Sequence, residues 1–240
     1  MQSGKLLLLP NLLDETQAPA LFLPPALAQV VASLHGLIAE SEKSARRYLR
    51  HFVSHDQMAK LPLRLLNEHT PPEELASLLA PAIKGEVWGV ISDAGLPCIA
   101  DPGAELVRLA HQKGVAVQTF AGPCSLLMAL QLSGFSGQRF AFHGYLPREI
   151  PDLERKILEL EKRAAEATQI WIEAPYRSAK MLEALLKLLQ PKTELSVAAS
   201  LTFPNERALS MPVEKWRSFP FRLEKEPVIF LLAQVLAKKT

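Results

Sequence analysis

The sequence predicts an α/β protein made of two α/β domains. Three observations carry this. Short apolar runs alternate with amphipathic segments along the whole chain, the pattern of strands joined by crossover helices. A length of 240 residues with 48% hydrophobic content can supply two modest cores. Glycines and a proline gather between Gly122 and Gly137, where the texture of the chain changes. This places one domain over 1–122 and a second over 123–240.

Taken in order, Lys5 to Leu9 reads as a first strand and Pro24 to Leu34 as a helix. Leu37 to Ala39 reads as a short strand, followed by a helix with a charged face over Ser41 to Phe52. Thr70-Pro71-Pro72-Glu73 has the form of a capping box with proline at the first helical position, which predicts a helix to about Ile83. Val87 to Ile91 is a buried strand, and a loop from Ser92 to Ala100 follows it. Asp101-Pro102 predicts the cap of a helix that stops near Gly114. Val115 to Phe120 is the next strand, closed by Gly122-Pro123, with a helix from there to Gly134.

In the second half, a charged helix starts at Pro151 and reaches about Ala167. Gln169 to Glu173 reads as a strand and Ala179 to Leu189 as an amphipathic helix. Glu194 to Ser200 and Pro227 to Ala233 read as strands, and Asn205 to Ser210 can pair as a hairpin. Trp88, Trp171 and Trp216 fall in core patterns.

Composition excludes several classes. With 27 basic and 25 acidic residues the chain is no general polyanion binder, so any nucleic-acid surface must be local. Cys98 and Cys124 match no Cys-x-x-Cys pattern, which argues against a structural zinc site or a disulfide framework and for a reducing cytoplasm. His51 and His55 have the i, i+4 spacing of a helical zinc pair, but Phe52-Val53-Ser54 between them lacks a glutamate, so no metal is expected. No run reaches the ~20 uninterrupted apolar residues of a membrane span, and no signal-peptide core stands at the start. A soluble, cytoplasmic protein is the expectation.

Chemistry concentrates in two loops. Ser92-Asp93-Ala94-Gly95-Leu96-Pro97 follows a buried strand and closes at Asp101-Pro102-Gly103, where a helix opens. Ligands of open α/β sheets bind beyond the carboxyl ends of strands, and a helix start offers unpaired N–H groups. A cap and a plain turn would read the same locally. Ala121-Gly122-Pro123-Cys124-Ser125 repeats the arrangement after the next strand, and two plain turns explain that poorly.

These paired loops resemble the signature of the tetrapyrrole methylase superfamily, and most closely its bacterial small-subunit rRNA cytidine 2′-O-methyltransferases. Asn67-Glu68-His69 is similar to that family's short acidic-His segment. Glu173-Ala174-Pro175-Tyr176-Arg177 resembles Glu-Ser-Pro-His-Arg. Ala198-Ala199-Ser200-Leu201-Thr202, with Glu206 behind it, resembles Ala-Arg-Glu-Leu-Thr. The likeness runs in order from about Leu8 to Leu232. It departs at the first loop, where Leu9-Pro10-Asn11-Leu12-Leu13-Asp14 lacks the family's glycine, and at Glu40-Ser41-Glu42-Lys43, where the family has Glu-Asp-Thr-Arg. The chain also stops near Thr240, without the extension of longer members.

The resemblance implies a homodimeric methyltransferase with S-adenosylmethionine in the cleft between two α/β domains and small-subunit rRNA as substrate. By position, Asp93, Ala94, Gly95 and Pro97 would border the cofactor. Pro123, Cys124 and Ser125 would lie against it, and Glu173, Pro175, Ala199, Leu201, Pro227 and Val228 would close it. An in-line displacement chiefly needs alignment, though a ribose hydroxyl benefits from a base. Glu40, Asp14 and Glu173 are the carboxylate candidates, and none is singled out by sequence. Lys43, Arg46, Arg47 and Arg50 gather over one helix face, either as a solvated face or as phosphate contacts for RNA. Two alternatives remain open at this point: methylation of a small, tetrapyrrole-like molecule, and a protein that binds the cofactor without catalysis.

Overall fold

A computed structural model describes residues 4–234, which divide between Cys124 and Ser125 into two compact units. The first holds a five-stranded parallel sheet of β1 (Lys5–Leu8), β2 (Gly36–Ala39), β3 (Leu63–Leu65), β4 (Val87–Val90) and β5 (Ala116–Thr119). Its order is β3-β2-β4-β1-β5, with Leu6 opposite Trp88 on one side and Val117 on the other. The helices are α1 (Leu27–Ala32), α2 (Glu42–Leu49), α3 (His55–Lys60), α4 (Leu75–Ile83) and α5 (Ala104–Gln112).

Successive strand residues serve opposite faces, and both faces are covered. Leu7, Leu37 and Ala39 pack with Leu27, Ala45, Tyr48 and Leu49, whereas Leu6, Ile38, Trp88 and Val90 pack with Leu79, Ala82, Leu106 and Ala110. This double coverage is why the central strands β1, β2 and β4 read as apolar runs with no alternation.

The second unit holds β6 (Phe140–Tyr145), β7 (Thr168–Glu173), β8 (Glu194–Ala199), β9 (Arg207–Pro212) and β10 (Val228–Ala233) in the order β6-β7-β10-β8-β9. Only β6 and β7 run parallel; β10 is antiparallel to both β7 and β8, and β8 to β9. The expected hairpin over Asn205 to Ser210 is therefore present as the β8–β9 pair. Helices α7 (Ile150–Arg163) and α8 (Ser178–Leu188) set Ile157, Leu160, Met181 and Leu185 against Trp171 and Phe230, whose rings stack at 5.7 Å. Helix α6 (Ser125–Ser133) packs across β10, β8 and β9, and the short α9 (Val213–Trp216) buries Trp216. All three tryptophans are core.

Several local expectations are corrected. Thr70 caps no helix: its hydroxyl accepts from Asn67 N (2.9 Å), and a 3₁₀ turn at Pro72–Glu74 leads into α4. Asp101 does not cap α5 either, because Gly103 at φ +128° stands there without a side-chain cap. The helix expected from Pro24 is shortened to α1, and Ser41 becomes the N-cap of α2 by accepting from Ser44 N. His55 opens α3 behind a Ser54–Gln57 capping box, so it shares no helix with His51. Among the described residues no helix is long and apolar enough to cross a membrane.

Candidate functional site

The carboxyl ends of β1, β2, β4 and β5 deliver four loops to one edge of the first sheet; hydrogen bonds join the β1, β2 and β4 loops, and the β5 loop packs on the β1 loop at Gly122. Asn11 is the organiser. Its amide Nδ2 donates to the carbonyls of Ser92 and Asp93, both at 3.0 Å, and its backbone N–H donates to Gly95 O at 2.8 Å. Oδ1 of the same side chain accepts from Leu12 N at 2.8 Å. The glycine-free first loop is thus held by an asparagine side chain. Glu40, just past β2, accepts from Asp93 N at 2.8 Å and ties the β2 loop to the β4 loop.

Two glycines are required by geometry. Gly95 sits at φ +72°, and a Cβ there would lie 3.2 Å from Leu13 Cδ2 and 3.4 Å from Pro123 O. Gly122 is needed for close approach: its Cβ would stand 2.1 Å from Pro10 Cβ. The first and β5 loops could not both keep their places with a side chain at that point. The room at Gly95 is thus filled by neighbouring protein on its Cβ side.

Backbone strain marks the same region. Cys98 (φ 69°) and Ala100 (φ 64°) adopt the left-handed conformation without being glycine. In the second unit Ser200 (φ 54°) and Thr202 (φ 70°) do so in the loop after β8. These are the only such non-glycine residues among those described, and both loops carry the matched motifs.

The first-unit edge is acidic. Asp101 lies with Glu40 and Asp93 around it. Burial, then the Glu40 charge, push its carboxyl up to about 6, with Asp93 adding and a hydrogen bond with Ser92 offsetting part. Burial also raises Glu40 above its ordinary value despite the Asp93 N–H, and the charges of Asp93 and Glu68 act the same way. Read from sequence as a cap, Asp101 is the functional candidate that sequence reasoning missed; the only signal was its place beside Ser92-Asp93 in the same loop. Cys98, pushed up to about 11 by burial and the Asp101 charge, faces Gly103 and is no ready nucleophile.

The three candidate bases have different surroundings. Asp14 is 2% exposed and spends its oxygens on a turn, accepting from Thr16 N (2.9 Å), Thr16 Oγ1 (2.8 Å) and Gln17 Nε2 (3.2 Å). Burial works against its charge, but these bonds outweigh it and hold the carboxyl below its ordinary value. Glu173 Oε1 accepts from Ala174 N (2.8 Å), while the buried Oε2 lies 3.4 Å from Arg177 without hydrogen-bond geometry. Burial raises its pKa against the pull of Ala174 N–H, Arg177 and Arg148. Glu40 alone is half-buried, raised, and placed beside other carboxylates.

The remaining candidates separate by exposure. Asp93 and Ala94 are exposed; Pro97, Pro123 and Cys124 are buried beneath their loops, and Ser125 opens α6 half-buried. In the second unit Pro175 and Pro227 are exposed, Leu201 is buried, and Ala199 (0% exposed) and Val228 belong to the core. The loop after β8 is locked by Glu226, which accepts from Ser200 Oγ (2.6 Å) and Glu224 N (3.1 Å) and pairs with Arg207. Glu206 Oε2 accepts from Thr202 N at 2.7 Å. Of the basic cluster, Arg47 pairs with Glu15 and Arg46 sits 3.5 Å from Glu42, while Lys43 and Arg50 are exposed at the surface.

A family model described as Tetrapyrrole (Corrin/Porphyrin) Methylases matches residues 26–216. The chain is 32% identical to the ribosomal RNA small subunit methyltransferase I of Vibrio cholerae, over 77% of this chain and 62% of that protein. It is 28% identical to the protein of the same name from Escherichia coli O157:H7, over 88% of this chain and 70% of the other. It spans 62–64% of the first three such relatives. Among solved structures, the methyltransferase CobJ superposes with a TM-score of 0.62 at 15% identity, covering 99% of this chain and 97% of the other. Uroporphyrin-III-C-methyltransferase from Thermus thermophilus superposes at 0.54 with 20% identity, covering 98% and 94%. Two α/β units of this topology and a family match across most of the length lead to one conclusion: the chain belongs to the tetrapyrrole (corrin/porphyrin) methylase family.

Proposed function

We propose that this protein binds S-adenosylmethionine and methylates a ribose 2′-hydroxyl of small-subunit ribosomal RNA. The observation that carries the reading is the set of interlocked strand-end loops in the first unit, in relatives of which the named activity is methylation of that RNA. Asp93, Ala94 and Gly95, with Pro97, Pro123, Cys124 and Ser125, are the loop positions proposed to hold the cofactor, and Glu173, Pro175, Ala199, Leu201, Pro227 and Val228 those proposed from the second unit. For the cores-lining Ala199 and Val228 the contact would be through backbone at a strand end.

The residues present fit such a ligand. Glu40, Asp93 and Asp101 give the loop edge a negative potential suited to a cationic sulfonium and ammonium, and exposed backbone at Asp93-Ala94 offers hydrogen bonds. When bound, the cofactor supplies an electrophilic methyl group. The protein's part is to align the acceptor oxygen and to take its proton. Glu40 suits that role best: burial raises its pKa above its ordinary value, and one oxygen is already fixed by Asp93 N. Asp14 is committed to its turn and Glu173 is closed from solvent. Lys43 and Arg50, with Arg46 and Arg47 once released from Glu42 and Glu15, are the phosphate contacts proposed on α2. A homodimer in the cytoplasm, working without a metal, completes the reading.

Transfer of labelled methyl to ribosomal particles, naked rRNA and a metabolite extract, run side by side, tests it. Label in small-subunit rRNA at a ribose oxygen is expected. Label only in small molecules would move the assignment to a ring substrate, and cofactor binding without any transfer would make the protein a non-catalytic binder.

A further inference from the structure

We infer that the loops ending β6 and β7 form a single-stranded RNA site, with Tyr176 and Tyr145 as stacking platforms and Arg148 as a phosphate contact. The inference rests on the RNA reading above and gives that substrate a place to be held in the second unit.

Of the chain's three tyrosines, Tyr48 lies in the core and the other two stand out in water, Tyr145 at 61% and Tyr176 at 64% exposure. Both project from the same end of the sheet. Tyr145 is opposite Ile172 in the parallel β6–β7 register, beyond a register shift after Phe142, and Tyr176 follows three residues past the end of β7. Arg177 fastens the two loops. It donates to Pro147 O at 2.9 Å and lies 3.4 Å from Glu173 Oε2, with its side chain only 17% exposed. Arg177 is therefore a positioning residue, spent inside the protein.

Arg148, next along from Pro147, is exposed and has no carboxylate within 4 Å among the described residues, although its charge reaches Glu173. Glu149 beside it is the acidic neighbour that a phosphate would have to avoid. The wider field favours RNA over a protein partner. Residues 125–240 hold 17 Lys and Arg against 13 Asp and Glu, while 1–124 hold 10 against 12. Three of the 13 acids, Glu161, Glu173 and Glu226, are buried, so the surface of this unit is more basic than its composition. Exposed aromatic rings beside an arginine on a basic surface are the elements of sequence-tolerant single-strand binding.

The test is anisotropy of a fluorescein-labelled eight-nucleotide single-stranded RNA over a range of salt, with cofactor affinity followed by calorimetry. Tyr176→Ala is expected to weaken RNA binding about tenfold with an unchanged salt slope, and Tyr176→Phe to restore it. Arg148→Gln is expected to weaken binding and lower the slope by about one. None of the three should alter cofactor affinity. Wild-type RNA affinity in Tyr176→Ala, or a loss in Phe equal to that in Ala, would overturn the site. So would light scattering in which Tyr176→Ala only dissociates a dimer. A wild-type protein that methylates rRNA while Tyr176→Ala does so equally well removes this site and leaves the RNA reading intact. A wild type that neither binds nor methylates RNA removes both.

Discussion

The two units hold their functional loops in different ways. In the first, a parallel sheet sends four loops to one edge, and mostly neutral groups join them: the Asn11 amide, backbone N–H donors, and glycines where chains touch, with one oxygen of Glu40 accepting from Asp93 N. In the second, a mixed sheet presents a loop whose left-handed Ser200 and Thr202 are held by carboxylates, Glu226 and Glu206. The first arrangement leaves its own carboxylates, Glu40 and Asp101, raised and in need of a cation. The second consumes Glu226 and Glu206 in structure. Similar loop ends can therefore carry free charge for chemistry in one unit and buried charge for rigidity in the other.

The sharpest way to break this contrast is at Glu226. Replacing it with alanine leaves the half-buried Arg207, the buried Ser200 and the Glu224 N–H without the carboxylate they share. Losing several hydrogen bonds to one buried carboxylate costs about 3 kcal/mol. The urea midpoint of Glu226→Ala should fall accordingly, and a variant as stable as wild type would show that the network does not hold the loop.

Gly95→Val comes next and probes the first unit. The φ of +72° strains any β-branched residue by roughly 1–2 kcal/mol, and Leu13 at 3.2 Å must also give way. A loss of about 2 kcal/mol in stability is expected, together with at least a tenfold loss of S-adenosylmethionine affinity by calorimetry. A folded variant with unchanged affinity would move the cofactor away from this loop.

How much of this was legible depends on where each signal originates. Strands buried on both faces, such as β1, β4, β8 and β10, announce themselves as apolar runs. Two of the edge strands, β3 and β6, do not. Leu63–Leu65 is three residues long with an arginine in the middle, and Phe140–Tyr145 contains Gly144 and is half in water, so neither shows a buried run or clean alternation. The caps failed for a related reason. Thr70 and Asp101 are good capping residues, but the nearer competitors for them, Asn67 N and Ser92, come from loop folding that local sequence does not encode. The loop motifs fall at strand ends, as read from sequence, whereas the perturbed Asp101 emerged only once Glu40 and Asp93 were brought around it.

Asp101 also supplies the finest test of the contrast, because its charge should cost stability. Its folded pKa of about 6 lies above the ordinary 3.8, through burial first and the Glu40 charge second. A group raised on folding favours the folded state while protonated, so its contribution is complete below pH ~4 and is lost as pH rises through 6. Asp101→Asn stays neutral throughout. The variant should therefore melt increasingly above wild type between pH 4 and 7, with the difference level at higher pH. Partial exposure screens the effect, which should stay under about 1 kcal/mol, smaller than that of either other variant. Melting curves measured at constant ionic strength decide it. A constant offset between the two proteins from pH 4 to 8 would mean that Asp101 is not crowded by Glu40, and that the first unit, like the second, keeps its carboxylates satisfied. Added S-adenosylmethionine gives the same experiment a second reading. If a cation settles beside Glu40 and Asp101, the wild-type curve should flatten in its presence, because the charge that was costly alone then has its partner.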